Sequence, residues 1–214
     1  SDCANLTAID LPSSVTEIDG YAFENCTALT AVTLPKHLRR LGTGAFSGCT
    51  ALKSVFIPLS LQNASNPFRK CMALTDVTFE DGRTKLPDTL LQGSGVRQLT
   101  VPQTVTKIGD SAFAGCTQLT AITLPAGLRE LGDEAFKGCT ALTAVRIPAG
   151  AALGEGAFYA CTGLTELTLE DGSVVVKRQF EDQAHMLKVQ LPCLVTALSE
   201  LDEPRYMSTW GIVD

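Results

Sequence analysis

The chain has 214 residues, of which 45% are hydrophobic, and it carries a net charge of −6 at pH 7 with a pI near 5.0. That much apolar material supports a packed core and excludes a disordered polar chain. The acidic balance argues against a nucleic-acid partner, which needs a basic stripe, and no apolar run approaches the ~18–20 residues of a membrane span.

Taken from the start, the chain repeats. Ser1 falls inside the pattern, as expected for a mature or excised fragment. Seven of the eight cysteines (Cys3, Cys26, Cys49, Cys71, Cys116, Cys139 and Cys161) are separated by 23, 23, 22, 45, 23 and 22 residues. The frame that opens at Cys26 runs through Leu29, Val32, Leu34-Pro35, Leu41-Gly42 and Ala45-Phe46 to Cys49. It returns at Cys116 as Leu119, Ile122, Leu124-Pro125, Leu131-Gly132 and Ala135-Phe136, ending at Cys139. The 45-residue gap implies a degenerate turn with Gly93 in the cysteine slot, and Gln183 takes the slot near the end. Nine slots result, with a large apolar residue three positions ahead of eight of them: Phe23, Phe46, Phe68, Leu90, Phe113, Phe136, Phe158 and Phe180.

A longer period lies above the first. Pro12, Pro35, Pro58, Glu80 and Pro102 recur 90 residues later as Pro102, Pro125, Pro148, Glu170 and Pro192. The array therefore reads as two 90-residue blocks of four turns, and as one solenoid over residues 1–192. Residues 193–214, with Leu201, Pro204, Tyr206, Met207 and Trp210, read as a C-terminal cap.

Each unit predicts an α/β repeat. The alternation around Val32 and Leu34 fits a short strand with Ala31 and Thr33 facing out, ended by a proline that has no N–H to donate. The spacing of Phe and Cys, three residues apart, predicts a short helical turn. A unit of about 23 residues has one apolar side and buries it only by stacking on the next, with strands ~4.8 Å apart in a parallel sheet.

The pattern Cys-x-x-Leu-x-x-Val-x-Leu-Pro-x-x-Val-x-x-Ile-Gly-x-x-Ala-Phe resembles the BspA-like, or treponemal-type, leucine-rich repeats. It is carried best by Leu11 to Leu34 and Val101 to Leu124, including Val15, Ile18, Ala22-Phe23, Val105, Ile108-Gly109 and Ala112-Phe113. Residues 58–70 and the two Glu-Asp-Gly turns depart from it. The resemblance implies a curved, right-handed solenoid, with parallel strands on the concave face and short helical turns on the convex side. It also implies a non-enzymatic role in adhesion or protein recognition at a bacterial cell surface, secreted or in the periplasm. The partner would be a host matrix protein or another envelope protein.

The cysteines could form disulfides or bind zinc, but zinc ligands come as close pairs, and the only histidines are His37 and His185. Cys26, Cys49, Cys71, Cys116, Cys139 and Cys161 are expected reduced and buried, their thiols bonding backbone carbonyls. Cys193, off the column, is the candidate for a reactive thiol. Glu80-Asp81 and Glu170-Asp171 precede glycine and read as turns rather than calcium ligands. No triad or phosphate loop is spaced for catalysis, so no enzyme, metal or cofactor is expected.

Binding falls to the outward strand positions. One column is Ala8, Ala31, Ser54, Asp76, Gln98, Ala121, Ala144, Glu166 and Lys188; the other is Asp10, Thr33, Phe56, Thr78, Thr100, Thr123, Arg146, Thr168 and Gln190. Phe56 and Arg146, 90 residues apart, are the aromatic and arginine anchors that interfaces favour, with Asp10, Asp76, Glu166 and Lys188 beside them. Lys36, His37, Arg39 and Arg40 form a local basic cluster. Asn5, Asn25 and Asn63 match the glycosylation triplet, which carries little weight in a bacterial-type protein. Nothing equivalent to the cap precedes Cys3, so self-association through an uncapped N-terminal edge is the competing reading.

Overall fold

The computed structural model describes residues 3–169, 173–180 and 183–190. Two ladders of short strands run along the stack. The first holds β2 (Ala31–Thr33), β4 (Ser54–Ile57), β6 (Asp76–Phe79), β8 (Gln98–Thr100), β10 (Ala121–Thr123), β12 (Ala144–Ile147) and β14 (Glu166–Leu169). Its pairs are parallel and in register, as in Val32↔Val55↔Val77 and Val145↔Leu167. Hydrogen-bonded pairing divides it into β2-β4-β6, β8-β10 and β12-β14. Inward residues such as Val32, Val55 and Val145 are buried, as the alternation requires.

The second ladder was not anticipated. After β2, β4, β8, β10 and β12 the chain turns at or next to proline, with Leu38 N–H donating to Pro35 O and Leu128 N–H to Pro125 O, both at 3.0 Å; after β6 it turns at Glu80 instead. It then forms a second, two-residue strand: β1 (Glu17–Ile18), β3 (Arg40–Leu41), β5 (Asn63–Ala64), β7 (Lys85–Leu86), β9 (Lys107–Ile108), β11 (Glu130–Leu131) or β13 (Ala152–Leu153). Ile18, Leu41, Leu86, Ile108 and Leu131 point inward from it and are buried. Where glycine follows, after β3, β9, β11 and β13, it is fixed by packing. A Cβ on Gly132 would lie 2.6 Å from Asp110 N, and one on Gly109 2.6 Å from Asp88 N.

The turn side corrects the expectation of short helical turns. No helix is assigned among the described residues. From Tyr21 to Cys26, alternate N–H groups divide between two sets of acceptors. Those of Ala22, Glu24 and Cys26 donate three residues back, to Asp19, Tyr21 and Phe23. Those of Tyr21, Phe23 and Asn25 donate to Thr43, Ala45 and Ser47 of the next turn, each at 2.8 Å. The same division recurs at Ser111, Phe113 and Gly115, which bond Asp133, Ala135 and Lys137. In a continuing helix the donors point along one axis to carbonyls of the same segment; here alternate ones point sideways and bind the stack together. Left-handed residues frame each turn, such as Gly44 at φ 58° and Gly48 at φ 74°.

The ends also differ from nine uniform turns. Seven strands are described in the first ladder, and none at Ala8–Asp10. Where a ninth parallel turn was expected, β15 (Ser173–Phe180) and β16 (Gln183–Gln190) pair antiparallel, with β15 joining β13 of the second ladder. The predicted cap at 193–214, and Cys193 with it, lies outside the described residues.

Candidate functional site

The core spine is built from the residues that mark the repeat. Phe23 and Phe46 stack at 5.2 Å between ring centroids, and Phe46 and Phe68 at 5.8 Å. Phe113, Phe136 and Phe158 form a second stack at 5.0 and 5.4 Å. All are buried except Phe23, which is only partly covered at the N-terminal end. Such offset rings add attraction to their area burial.

Beside them runs the thiol column. Cys26, Cys49, Cys71, Cys116, Cys139 and Cys161 are unoxidised and buried, whereas Cys3 is exposed. Cys49 Sγ donates to Phe23 O at 3.2 Å, Cys71 to Phe46 O at 3.1 Å, Cys139 to Phe113 O at 3.2 Å and Cys161 to Phe136 O at 3.0 Å. Each thiol thus satisfies a carbonyl of the preceding turn. Burial pushes the Cys116 thiol up to about 11 and also raises Cys26. Covered, and in Cys49, Cys71, Cys116, Cys139 and Cys161 bonded to a carbonyl of the preceding turn, the thiols of the column pack and tie the stack.

In the degenerate turn, the geometry moves the slot by one residue. Gly93 has φ 65° and donates to Ala114 O, as Gly115 (φ 70°) donates to Lys137 O one turn later; each stands just before the slot. The slot itself holds Ser94, which is buried with its Oγ 3.7 Å from Cys116 Sγ. Leu91, not Leu90, occupies the phenylalanine position, because its N–H bonds Ala112 O and its carbonyl accepts the Cys116 thiol at 3.0 Å. The clue was in the dipeptides: Gly48-Cys49, Gly115-Cys116 and Gly138-Cys139 match Gly93-Ser94, with serine replacing cysteine.

Arg83 was also missed. It stands in the otherwise apolar column of Val15, Leu38, Leu61, Val105, Leu128 and Ala151, and it is only 3% exposed. Its guanidinium donates to Leu61 O at 3.1 Å, to Lys85 O at 3.2 Å and to Pro58 O. Nε has no partner, and burial lowers the guanidinium from its ordinary value against the opposing pull of Glu80. Column alignment at the proline-free Glu80-Asp81-Gly82 turn would have exposed it.

The outward face of the first ladder carries the expected binding residues unevenly. Phe56 is half-buried between Thr33 and Thr78 in register on the neighbouring strands, and exposed Asp76 lies on the adjacent β6. Arg146 is exposed opposite Thr168, with exposed Glu166 on the same strand β14 as Thr168. The two anchors are not brought together: four turns separate them, on the order of 20 Å at ~4.8 Å per strand step. Asp10 is exposed but lies in no strand, and Lys188 falls in β16, where the backbone alone is described.

The basic cluster is partly neutralised. Lys36, His37 and Arg39 are exposed, but Arg40 bonds Glu17 at 2.8 Å and Asp19 at 2.9 Å. Three turns further along the same ladder, Lys107 pairs with Glu130, its register partner on β11. Among the described residues no group of three or more His, Cys, Asp or Glu is placed to hold a metal ion, and no helix is long and apolar enough to cross a membrane.

Stacked parallel strands with an in-register Phe, Cys and Leu core define a leucine-rich-repeat solenoid. The model of the BspA type leucine rich repeat region matches in six copies over residues 1–97 and 84–201, and the chain belongs to that family. It is similar to the T. pallidum leucine rich repeat protein, with 30% identity and a TM-score of 0.63 over 74% of this chain and 78% of that one. It is also similar to a leucine rich cell surface protein of Faecalibacterium prausnitzii, with 28% identity and a TM-score of 0.57 over 80% of this chain and 48% of that one. A 46-residue stretch is 52% identical to the caffeyl-CoA reductase-Etf complex subunit CarD of Acetobacterium woodii. That stretch is 22% of this chain and only 18% of the subunit, so it is a local likeness. Leucine-rich-repeat proteins generally act in protein binding, and the fold is typically a non-catalytic module.

Proposed function

We propose that the chain is a non-enzymatic recognition module that binds another protein through the outward face of its first strand ladder. The observation that carries this reading is the pair Phe56 and Arg146. They occupy equivalent positions 90 residues apart on a face dominated by threonines and small residues, and both reach solvent. Aromatic and arginine side chains dominate interface energetics, while threonine suits an exposed parallel strand for structural reasons alone. Asp76 beside Phe56, and Glu166 beside Arg146, add charge for orientation. Adhesion at a bacterial cell surface or envelope, to a host matrix protein or another envelope protein, is the specific form of this reading; the cell surface protein of F. prausnitzii supports it.

The test is surface plasmon resonance against a panel of purified matrix proteins, followed by Phe56→Ala and Arg146→Ala on any partner found. Each is expected to weaken binding about tenfold or more, as for a hot-spot residue. Undiminished binding by both variants rejects this face.

A second reading is self-association through the N-terminal end, favoured by Leu6, Ile9, Leu11, Val15 and Phe23, which are packed on the core but only partly buried. Sedimentation velocity separates the two: a strict monomer at high concentration removes the assembly reading.

A further inference from the structure

The 90-residue duplication supplies an internal control for the surface. Positions with the same backbone role in both blocks need the same residues only for folding, so a chemical difference between them reports something else. One cluster of such differences lies on the turn side, away from the strand face.

There, Asp133, Glu134, Lys137, Glu155, Gly156 and Tyr159 line a cleft of about 510 Å3. Their counterparts 90 residues earlier are Thr43, Gly44, Ser47, Ser65, Asn66 and Arg69. The earlier block builds the same turns without a single carboxylate: Thr43 and Ser65 join by their hydroxyls at 3.2 Å where Asp133 accepts the Glu155 N–H at 2.7 Å. Glu134 even sits at φ 55°, in the left-handed region that Gly44 occupies at φ 58° without a Cβ. Asp133 repeats the inter-turn cap that Asp88 and Asp110 make to the next turn's N–H, but Glu134, Glu155 and Tyr159 are not demanded by the fold.

Their arrangement fits a cation. Tyr159 is 64% exposed, the most exposed large hydrophobic residue among those described. An ammonium group already rests against it: Lys137 Nζ lies 5.5 Å from the ring centroid and 2.7 Å from Glu134 Oε1. A ring face flanked by carboxylates attracts cations through its quadrupole and through charge together. Lys137 marks the place, and its long flexible stem lets it swing aside.

We propose that this cleft is a docking point for a lysine or arginine side chain of a partner protein, which displaces Lys137 from Tyr159 and engages Glu134, with Asp133 and Glu155 around it. The inference is independent of the strand-face reading, since it uses other residues on another side.

Fluorescein-labelled pentalysine, titrated by anisotropy at low ionic strength, is the probe. Wild-type protein is expected to bind it, and Tyr159→Phe to retain that binding. Tyr159→Ala and Glu155→Gln are each expected to weaken it at least fivefold. Lys137→Met is expected to tighten it about threefold or more. Asp81→Asn, which removes an exposed charge elsewhere, is the control and is expected to leave it unchanged. Thermal melts check that each variant folds. No binding by wild type overturns the proposal. So does a Tyr159→Ala variant that binds as tightly as wild type, or a loss in Asp81→Asn equal to that in Glu155→Gln, because net charge alone would then account for the binding.

Discussion

Cys116 Sγ donates to the Leu91 carbonyl oxygen at 3.0 Å, across two neighbouring turns of the stack. The same bond, repeated at Cys49, Cys71, Cys139 and Cys161, makes the cysteine column a set of inter-turn hydrogen bonds as well as a hydrophobic filler. Each of these carbonyls also accepts the N–H three residues on in its own turn, so the thiol supplies a second, inter-turn bond and its removal costs that modest bond as well as volume.

Cys139→Ala is expected to destabilise the protein by about 1–2 kcal/mol, through the lost thiol bond to a Phe113 carbonyl that keeps only the Cys116 N–H, and through a small void. Cys139→Ser keeps a donor and should cost less than about 1 kcal/mol, as Ser94 in the same slot suggests. Urea denaturation of the two variants measures the gap. Equal losses would show that the hydrogen bond contributes nothing.

The thiols also predict how stability responds to alkali. The folded Cys116 thiol stays protonated to about 11, against 9.0 for an ordinary one. Its share of stability is whole below pH 9 and is lost as pH rises toward 11, because only the unfolded chain ionises in that window. The slope is about 1.4 kcal/mol per pH unit for such a thiol. Chemical denaturation at pH 8, 9 and 10 should show the decline. Cys116→Ser should make it shallower by that thiol's share, the other raised thiols such as Cys26 keeping theirs. In native protein at pH 7, maleimide is expected to label exposed Cys3 and to spare the six buried cysteines.

Arg83 fills an apolar column and holds the carbonyls of Pro58 and Leu61. Arg83→Ala should cost about 2–4 kcal/mol, from a void plus the lost guanidinium bonds to Leu61 O and Pro58 O, the latter keeping only the Leu61 N–H. Arg83→Leu restores the column's apolar filling and relieves the burial of a charge, so its loss should be smaller, about 1–2 kcal/mol. A Leu variant less stable than the Ala variant would contradict this account.

Glycines at the second ladder are packed to the limit. Gly132→Ala places a Cβ against the Asp110 backbone and should cost at least ~2 kcal/mol by forcing neighbouring turns apart. Gly127→Ala, whose Cβ meets nothing nearer than Gln103 O at 4.0 Å, should be neutral or slightly stabilising. Thermal unfolding of the pair checks the contrast.

Much of this protein is determined locally. Spacing alone placed Val32, Val55 and Val145 in the core, the phenylalanines in a stack, and the cysteines in a column beside them. Each of those positions recurs once per turn, and a recurring apolar residue in a stacked unit has nowhere else to go. The sequence also marked Phe56 and Arg146, because duplication makes an exception visible. What it could not determine is where each N–H finds its acceptor. Three-residue spacing of Phe and Cys suits a helical turn as well as the observed one; only the neighbouring turn, by accepting the bonds of Tyr21, Phe23 and Asn25, decides against the helix. The same holds for Ser94 and Arg83. Their roles depend on carbonyls and thiols 22 to 25 residues away, which come within reach only once the turns are stacked.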